Sequence, residues 1–278
     1  MPPRPAVPST APTGSAALPR PGPALPTTLR SSRQGLRRLF EKLTGTHIYR
    51  RPPRGTDCFA DIKAWLPHLH IDTVFDVGAN IGQSADSYLA NFAHARIYCF
   101  EPVSDTHRQL EARLHGRDNV RIFKLALGAE EGPGTMVLEG QSDMFFLRRR
   151  GNELAIGNNS PIEQVAVETL DNFCADQRIA DINYLKIDTE GADLDVLKGA
   201  ERMLSGQHID AIEAECSMNG RNTRHVGLPT LADFLERRGY LLFGVYEQVH
   251  EWPTGAPNLR RANPVFISEK VIRANLAH

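Results

Sequence analysis

The chain has no CxxC pair, no long apolar run and almost no net charge, and its first 32 residues contain no acid. The four cysteines, Cys58, Cys99, Cys174 and Cys216, are widely spaced, and two fall in strand-like runs. Free buried thiols fit this pattern better than a disulfide frame or a zinc knuckle, which points to a reducing cytoplasm. No run approaches the roughly 18 apolar residues of a membrane span, and the N-terminus has no signal-peptide core. With 32 Lys+Arg against 33 Asp+Glu, a formal charge of −1, no overall field draws the chain to nucleic acid or anionic lipid. A nucleic-acid partner is therefore not expected, and a compact, roughly neutral small-molecule substrate is not excluded.

Residues 1–32 are rich in Pro, Ala, Ser and Thr and carry Arg4, Arg20 and Arg30. Such a segment buries too little apolar surface to order itself, so a disordered tail is expected. An organelle transit peptide is the alternative, disfavoured because scattered prolines prevent its amphipathic helix. Over 33–70 a helical extension is expected. Leu36, Leu39, Phe40 and Leu43 recur at helical spacing opposite Arg33, Arg37, Arg38 and Lys42, the apolar side facing inward and the basic side in water. A second helix after Thr56 turns Ile62, Trp65 and Leu66 inward and ends before Pro67.

From residue 71 to 278 apolar runs alternate with helical patterns. The runs are "TVFDV" at 73, "RIYCF" at 96, "VRIFKLAL" at 120, "YLKID" at 184 and "DAIEAE" at 210. Continuous apolar strands separated by helices indicate an α/β domain with a mostly parallel sheet covered on both faces. "YLLFGVY" at 240 and "PVFIS" at 264 follow without a helix between them and read as a hairpin at the sheet edge. The Gly- and Asn-rich insert 132–160, with Arg148, Arg149 and Arg150 beside Phe145 and Phe146, reads as a lid or disordered loop over the strand ends.

The first strand runs straight into a glycine-rich turn, "FDVGANIGQ", in which Asp76 is followed by Gly78, Asn80 and Gly82 and then by a helix. Glycine permits close approach of a ligand, and a helix N-terminus offers free N–H groups. The second strand ends in Glu101, 25 residues beyond Asp76, where a carboxylate accepts from two ribose hydroxyls. Together they indicate an adenosine-type cofactor. A nicotinamide site normally carries GxGxxG, which is missing. Asp76 beside the turn would repel a pyrophosphate but suits an amino acid ammonium, as in S-adenosylmethionine.

In order and spacing, "FDVGANIGQ", "FEPV", "LALG", "LKIDTEGADLDVLKGA" and "AIEAE" resemble the FkbM-type S-adenosylmethionine-dependent methyltransferases over Val74 to Glu215. The resemblance implies a class I methyltransferase fold: a Rossmann-like, seven-stranded, mostly parallel sheet with an antiparallel final strand. It also implies methylation of hydroxyls on sugars, glycans or other natural products. Carried onto this chain, it puts Asp76, Gly78, Asn80, Ile81 and Gly82 around the methionine part of the cofactor. Glu101 and Pro102 fall at the ribose, Ala126 beside the adenine and Ser142 in a loop near the cofactor.

Asp188 ends the fourth strand beside the offered methyl group and is the candidate to orient or deprotonate the acceptor hydroxyl. Glu190, Glu215 and His225 are further catalytic candidates around the same rim. Against each stands a plainer role: Asp188 satisfying its turn, Glu190 capping the next helix, and His225, Arg221 and Arg224 solvated in a surface loop. Asp188 and Glu215, with Glu190, form an alternative set of hard oxygen ligands for a divalent cation such as Mg²⁺. The leading expectation is an O-methyltransferase on a small-molecule or saccharide acceptor, with a homo-oligomer allowed. The alternatives are a non-catalytic cofactor-binding or scaffold protein and, less favoured, a nicotinamide-dependent oxidoreductase.

Overall fold

The structure is a computed structural model and describes residues 35, 38–47, 49, 52–148 and 160–276. The expected tail, 1–32, lies outside the described residues, as do Arg149 and Arg150. Two compact units are present, Met1–Arg51 and Pro52–His278. In the first, residues 38–44 are helical, but Leu39, Phe40 and Leu43 are exposed rather than inward as their spacing suggested.

The second unit begins with helix α1 (Cys58–Trp65), whose N-cap Asp57 accepts from the Ala60 amide. Ile62 and Leu66 are buried as expected. Trp65 instead faces solvent, its ring under the Arg54 guanidinium at 5.0 Å.

The strands of the main sheet are β1 (Thr73–Val77), β2 (Arg96–Phe100), β3 (Val120–Phe123), β8 (Ile182–Ile187), β9 (Ile209–Ala214), β10 (Cys216–Ser217), β11 (Tyr240–Glu251) and β12 (Ala256–Ser268). Strands β3, β2, β1, β8 and β9 lie side by side and parallel; β12 runs antiparallel to β9, and β11 pairs with its other edge. β10 continues β9 on one register, since Glu213 faces Val265 and Cys216 faces Ala262, with the break at Glu215. Counting that pair as one, the sheet has the seven strand paths and antiparallel last strand expected, and its order reverses at β1.

Neighbouring residues of β1 feed opposite cores, which is why its run is apolar throughout. Val74 joins Ile62 of α1, Tyr88 of α2 (Gln83–Asn91) and Leu110 of α3 (Ser104–Arg113). Phe75 and Val77 join Phe173 of α4 (Leu170–Gln177), Leu197 of α5 (Asp193–Lys198), Leu204 of α6 (Glu201–Ser205) and Leu231 of α7 (Leu228–Glu236). Helix α8 (Glu269–Leu276) returns Val271 to the first core. Phe173 meets the rings of Phe100 and Phe123 edge-on at 4.8 and 4.9 Å. Each such pair is worth about 0.5–1.5 kcal/mol beyond burial and fixes the strand ends that carry the site.

The insert is not simply a loop. Strands β4 (Ala126–Leu127), β5 (Gly132–Val137), β6 (Phe146–Leu147) and β7 (Ile162–Glu168) form a second sheet in the order β4-β7-β5-β6. The run "VRIFKLAL" therefore divides, Val120–Phe123 staying in the main sheet and Ala126–Leu127 crossing to the second. Val103, Ala126, Met136 and Val165 make its small core.

The tightest backbone approach sits between two strand ends. Gly78 has φ +85°, and a Cβ there would fall 1.9 Å from the Asp188 carbonyl oxygen. Gly78→Ala should therefore destabilise the protein by at least about 3 kcal/mol in urea unfolding, from backbone overlap plus left-handed strain. An unchanged midpoint would contradict this packing.

Candidate active site

A cavity of about 690 Å³ opens at the carboxyl ends of β1, β2, β8 and β9, under the second sheet. Ligands of open α/β sheets collect there because strand order reverses between β1 and β8. Of the residues singled out from sequence, Gly78, Asn80, Glu101, Pro102, Ala126, Ser142, Asp188, Glu190 and Glu215 line this cavity. Asp76, Ile81, Gly82 and His225 do not.

The β1–α2 turn is held mainly by protein partners. The amides of Gly78 and Ala79 both donate to the Phe100 carbonyl, and that of Asn80 donates to Glu101 Oε2 at 3.1 Å. Gly78 is thus required first by Asp188, not by a ligand. Gly82 (φ +88°) precedes α2 and packs beneath Leu110 of α3. Glu101 also accepts from Val103 N–H at 2.9 Å. Burial pushes its carboxyl up to about 7, with the two amides pulling down and Glu163 and Asp76 pushing up. Ser142, on the link between β5 and β6, donates to Asn80 Oδ1 at 3.0 Å and ties the second sheet to the turn.

Asp76 lies below the cavity, fully buried. One oxygen stands 3.5 Å from the Tyr88 hydroxyl and the other has no hydrogen-bond partner. Burial raises its carboxyl to about 6 despite Lys186, its cross-strand partner in β8.

Lys186 was not singled out from sequence, yet it organises the floor. Its Nζ donates to Asp188 Oδ2 at 2.8 Å. Burial would lower its pKa, but the carboxylates of Asp188, Asp76 and Glu213 outweigh that and hold it charged. Burial would raise the Asp188 carboxyl, and Lys186, with help from Arg261 and His225, keeps it below the usual range. Glu213 accepts from Tyr184 and from Asn263 Nδ2 at 2.9 Å, and Asn263 also binds Glu247 at 3.0 Å.

On the far rim Glu190, with φ +53°, places its carboxylate 2.6 Å from Arg224 Nε. The helix it was expected to cap begins later, at Asp193, whose carboxylate accepts from Gly191 N–H. Arg224 also donates to the Met144 carbonyl and covers the Phe146 ring at 5.5 Å. Glu215 sits at the β9/β10 break, 2 % exposed, with Oε1 bound by Arg261. His225, expected on a surface loop, is half-buried with its imidazole only 6% exposed, Nδ1 lying 3.1 Å from Glu215 Oε2 and Nε2 3.9 Å from Glu190 Oε2. The 3.1 Å approach is close but not aligned as a hydrogen bond, and both atoms lack one. Burial, reinforced by Arg224, pushes the imidazole down to about 4, so it is neutral at pH 7. Asp188, bound to Lys186, stands apart from this trio.

Residues 76–242 match the family described as methyltransferase FkbM domain. The chain belongs to this family. Among curated relatives, it is 26% identical over 156 residues to Methyltransferase 1 of Beauveria bassiana, covering 50% of this chain and 61% of that one. It is 25% identical over 145 residues to the 2-O-methyltransferase NoeI of Sinorhizobium fredii, covering 48% and 58%. The matched segments span about three fifths of the length of these curated relatives. Among solved structures, the 1,6-didemethyltoxoflavin-N1-methyltransferase of Burkholderia thailandensis covers 90% of this chain and 93% of its own, at 13% identity and a TM-score of 0.39.

Removing the buried ammonium tests the electrostatics of this FkbM site. Lys186→Met should cost about 3–5 kcal/mol at pH 8, because it strands buried carboxylates without a cation. Without the ammonium those acids titrate above their wild-type values, so at pH between the two the folded variant binds extra protons, and the deficit shrinks as pH falls from 8 toward about 6, where Asp76 titrates with Lys186 in place. Equal deficits at pH 8 and 5.5 would contradict the assignment.

Proposed function

We propose that the protein is an S-adenosylmethionine-dependent O-methyltransferase acting on a hydroxyl of a saccharide, glycan or other polyhydroxylated small molecule. The observation that carries this reading is the charge of the cavity. Among the described residues, Asp57, Glu101, Asp188, Glu190, Glu213, Glu215 and Glu247 line it, with Lys186 and Arg261 as its lysine and arginine. Both cations are already engaged, on Asp188 and Glu215. Among the described residues a pyrophosphate finds no free cation here, whereas a phosphate-free sulfonium with an ammonium end is attracted. The residues fit such a cofactor: Glu101 has lone pairs beyond its two amide bonds for ribose hydroxyls, Pro102 and Ala126 flank it, and Gly78, Asn80 and Ser142 border the methionine end. When bound, the cofactor supplies a methyl group on a positively charged sulfur.

The chain's own work is alignment. Asp188, immobilised by Lys186 and by its amide bond to the Val77 carbonyl at 2.9 Å, is a fixed acceptor that points the substrate hydroxyl's hydrogen away from the reacting lone pair. Glu213 and Glu247, held through Asn263, offer acceptors for neighbouring hydroxyls, which suits a sugar better than an apolar acceptor. The second sheet, with Met136, Phe145 and Leu147 on the cavity, keeps water from the donor. The free cysteines, three of them buried, agree with a reducing compartment.

Calorimetry with S-adenosylhomocysteine should give one site per chain. Glu101→Gln should weaken it roughly 10–100-fold, the loss of charged hydrogen bonds. Because protonation removes the charge and part of the acceptor capacity of Glu101, affinity should fall as pH drops below about 7. Asp188→Ala should lower methyl transfer at least about 100-fold with S-adenosylhomocysteine affinity nearly unchanged. Full turnover in that variant, or no binding by folded wild type, would overturn the reading.

A further inference from the structure

We propose that Glu190, Glu215 and His225 form a binding site for a divalent first-row transition ion of the Mn²⁺ type, with its remaining positions open to two acceptor oxygens. One ligating atom from each of the three residues lies within 4.8 Å of the others. Around a shared ion, with bonds of about 2.1 Å, such atoms sit roughly 3.0–3.5 Å apart. Small side-chain rotations therefore close the set.

A feature beyond the cluster itself points to a cation. Glu215 Oε2 and His225 Nδ1 face each other at 3.1 Å, and neither has a hydrogen-bond partner, although their side chains are only 2 % and 6 % exposed. A buried unpaired carboxylate oxygen costs several kcal/mol and persists where something else completes it. A cation between these atoms does so. The neighbouring arginines do not fill that place. Arg261 holds the other oxygen of Glu215, and Arg224 is fixed by the Met144 carbonyl and the Phe146 ring, with its Nε approaching Glu190 without hydrogen-bond alignment.

The backbone brings the three residues together. Glu190 (φ +53°) and Gly191 (φ +105°) are consecutive left-handed residues, and a Cβ on Gly191 would fall 2.3 Å from the Arg224 carbonyl oxygen. That contact seats the loop carrying His225 against the turn carrying Glu190, while the β9/β10 break supplies Glu215. Glu190 and Glu215 also line the cavity beside Asp188. An ion held there can chelate two adjacent oxygens of a polyol. This last role, but not the ion site, rests on the methyl-transfer reading.

Two carboxylates with one imidazole favour a transition ion over Mg²⁺, which prefers oxygen ligands alone. The sequence suggested Asp188 and Glu215, with Glu190, for Mg²⁺; the geometry keeps the two glutamates and replaces Asp188, taken by Lys186, with His225.

The test uses the full chain, stripped with chelator and desalted, titrated with MnCl₂ while free Mn²⁺ is read by electron paramagnetic resonance. Expected is one ion per chain, at least tenfold tighter than Mg²⁺ in competition. Glu215→Gln and His225→Asn should each weaken it at least tenfold, with thermal melting and S-adenosylhomocysteine affinity showing that the variants are folded. No Mn²⁺ uptake by protein that binds S-adenosylhomocysteine would overturn the site, as would equal uptake by both variants. Mn²⁺ uptake without S-adenosylhomocysteine binding would uphold the ion site and remove the methyl-transfer reading instead.

Discussion

The ammonium of Lys186 and the carboxylates that surround it set the conditions for everything at the upper edge of the sheet. A lysine on a central strand is costly to bury unless opposing charge is already in place. Here Asp76 lies across on β1, Asp188 lies two residues on, and Glu213 faces from β9. Each acid would be costly alone, and the lysine would be neutral alone. Held together they form a rigid polar floor, and Asp188 is its most exposed corner, fixed by Lys186 and facing the cavity.

A second constraint follows from how closely β1 and β8 approach. The missing Cβ of Gly78 lets the Asp188 carbonyl enter the turn, and the Asp188 amide closes on Val77. The residue that would touch an acceptor is thereby locked to the turn that would touch the donor. Glu101 is locked to the same turn through Asn80, and Ser142 brings the second sheet onto it. Donor and acceptor ends are therefore parts of one covalently short, hydrogen-bonded frame, which is what alignment-driven catalysis needs.

Much of this frame was legible in the sequence. "TVFDV" and "YLKID" read as buried strands because both faces of a covered parallel sheet are apolar, and an acid at such a strand's end has little reason to be there except a site. Family membership agrees with the motifs that carried the resemblance. What was hidden depended on distant contacts. Lys186 stood in plain view within "YLKID", but two of its three acid partners, Asp76 and Glu213, come from neighbouring strands distant in sequence. Arg261, Asn263 and Glu247 belong to a hairpin that looked purely structural. The second sheet was masked by Gly132, Pro133 and Gly134, which read as loop; Gly134 is in fact small because Val167 and Leu147 pack over it. His225 looked solvated because Asn, Gly and Arg surround it in sequence, and only the close contact of Gly191 with Arg224 shows that its loop is pressed inward.

The site and the fold thus draw on the same few residues; in the proposed methyl-transfer reading, substrate choice would rest with the acid-rich rim and donor binding with the turn and Glu101. The most direct measurement is transfer of a ¹³C-labelled methyl group from S-adenosylmethionine to a panel of glycosides and polyhydroxylated compounds, followed by NMR. The account predicts a new methoxy resonance on a hydroxyl-bearing acceptor, lost in Asp188→Ala. A label that appears only on nitrogen, or transfer that persists in that variant, would contradict it.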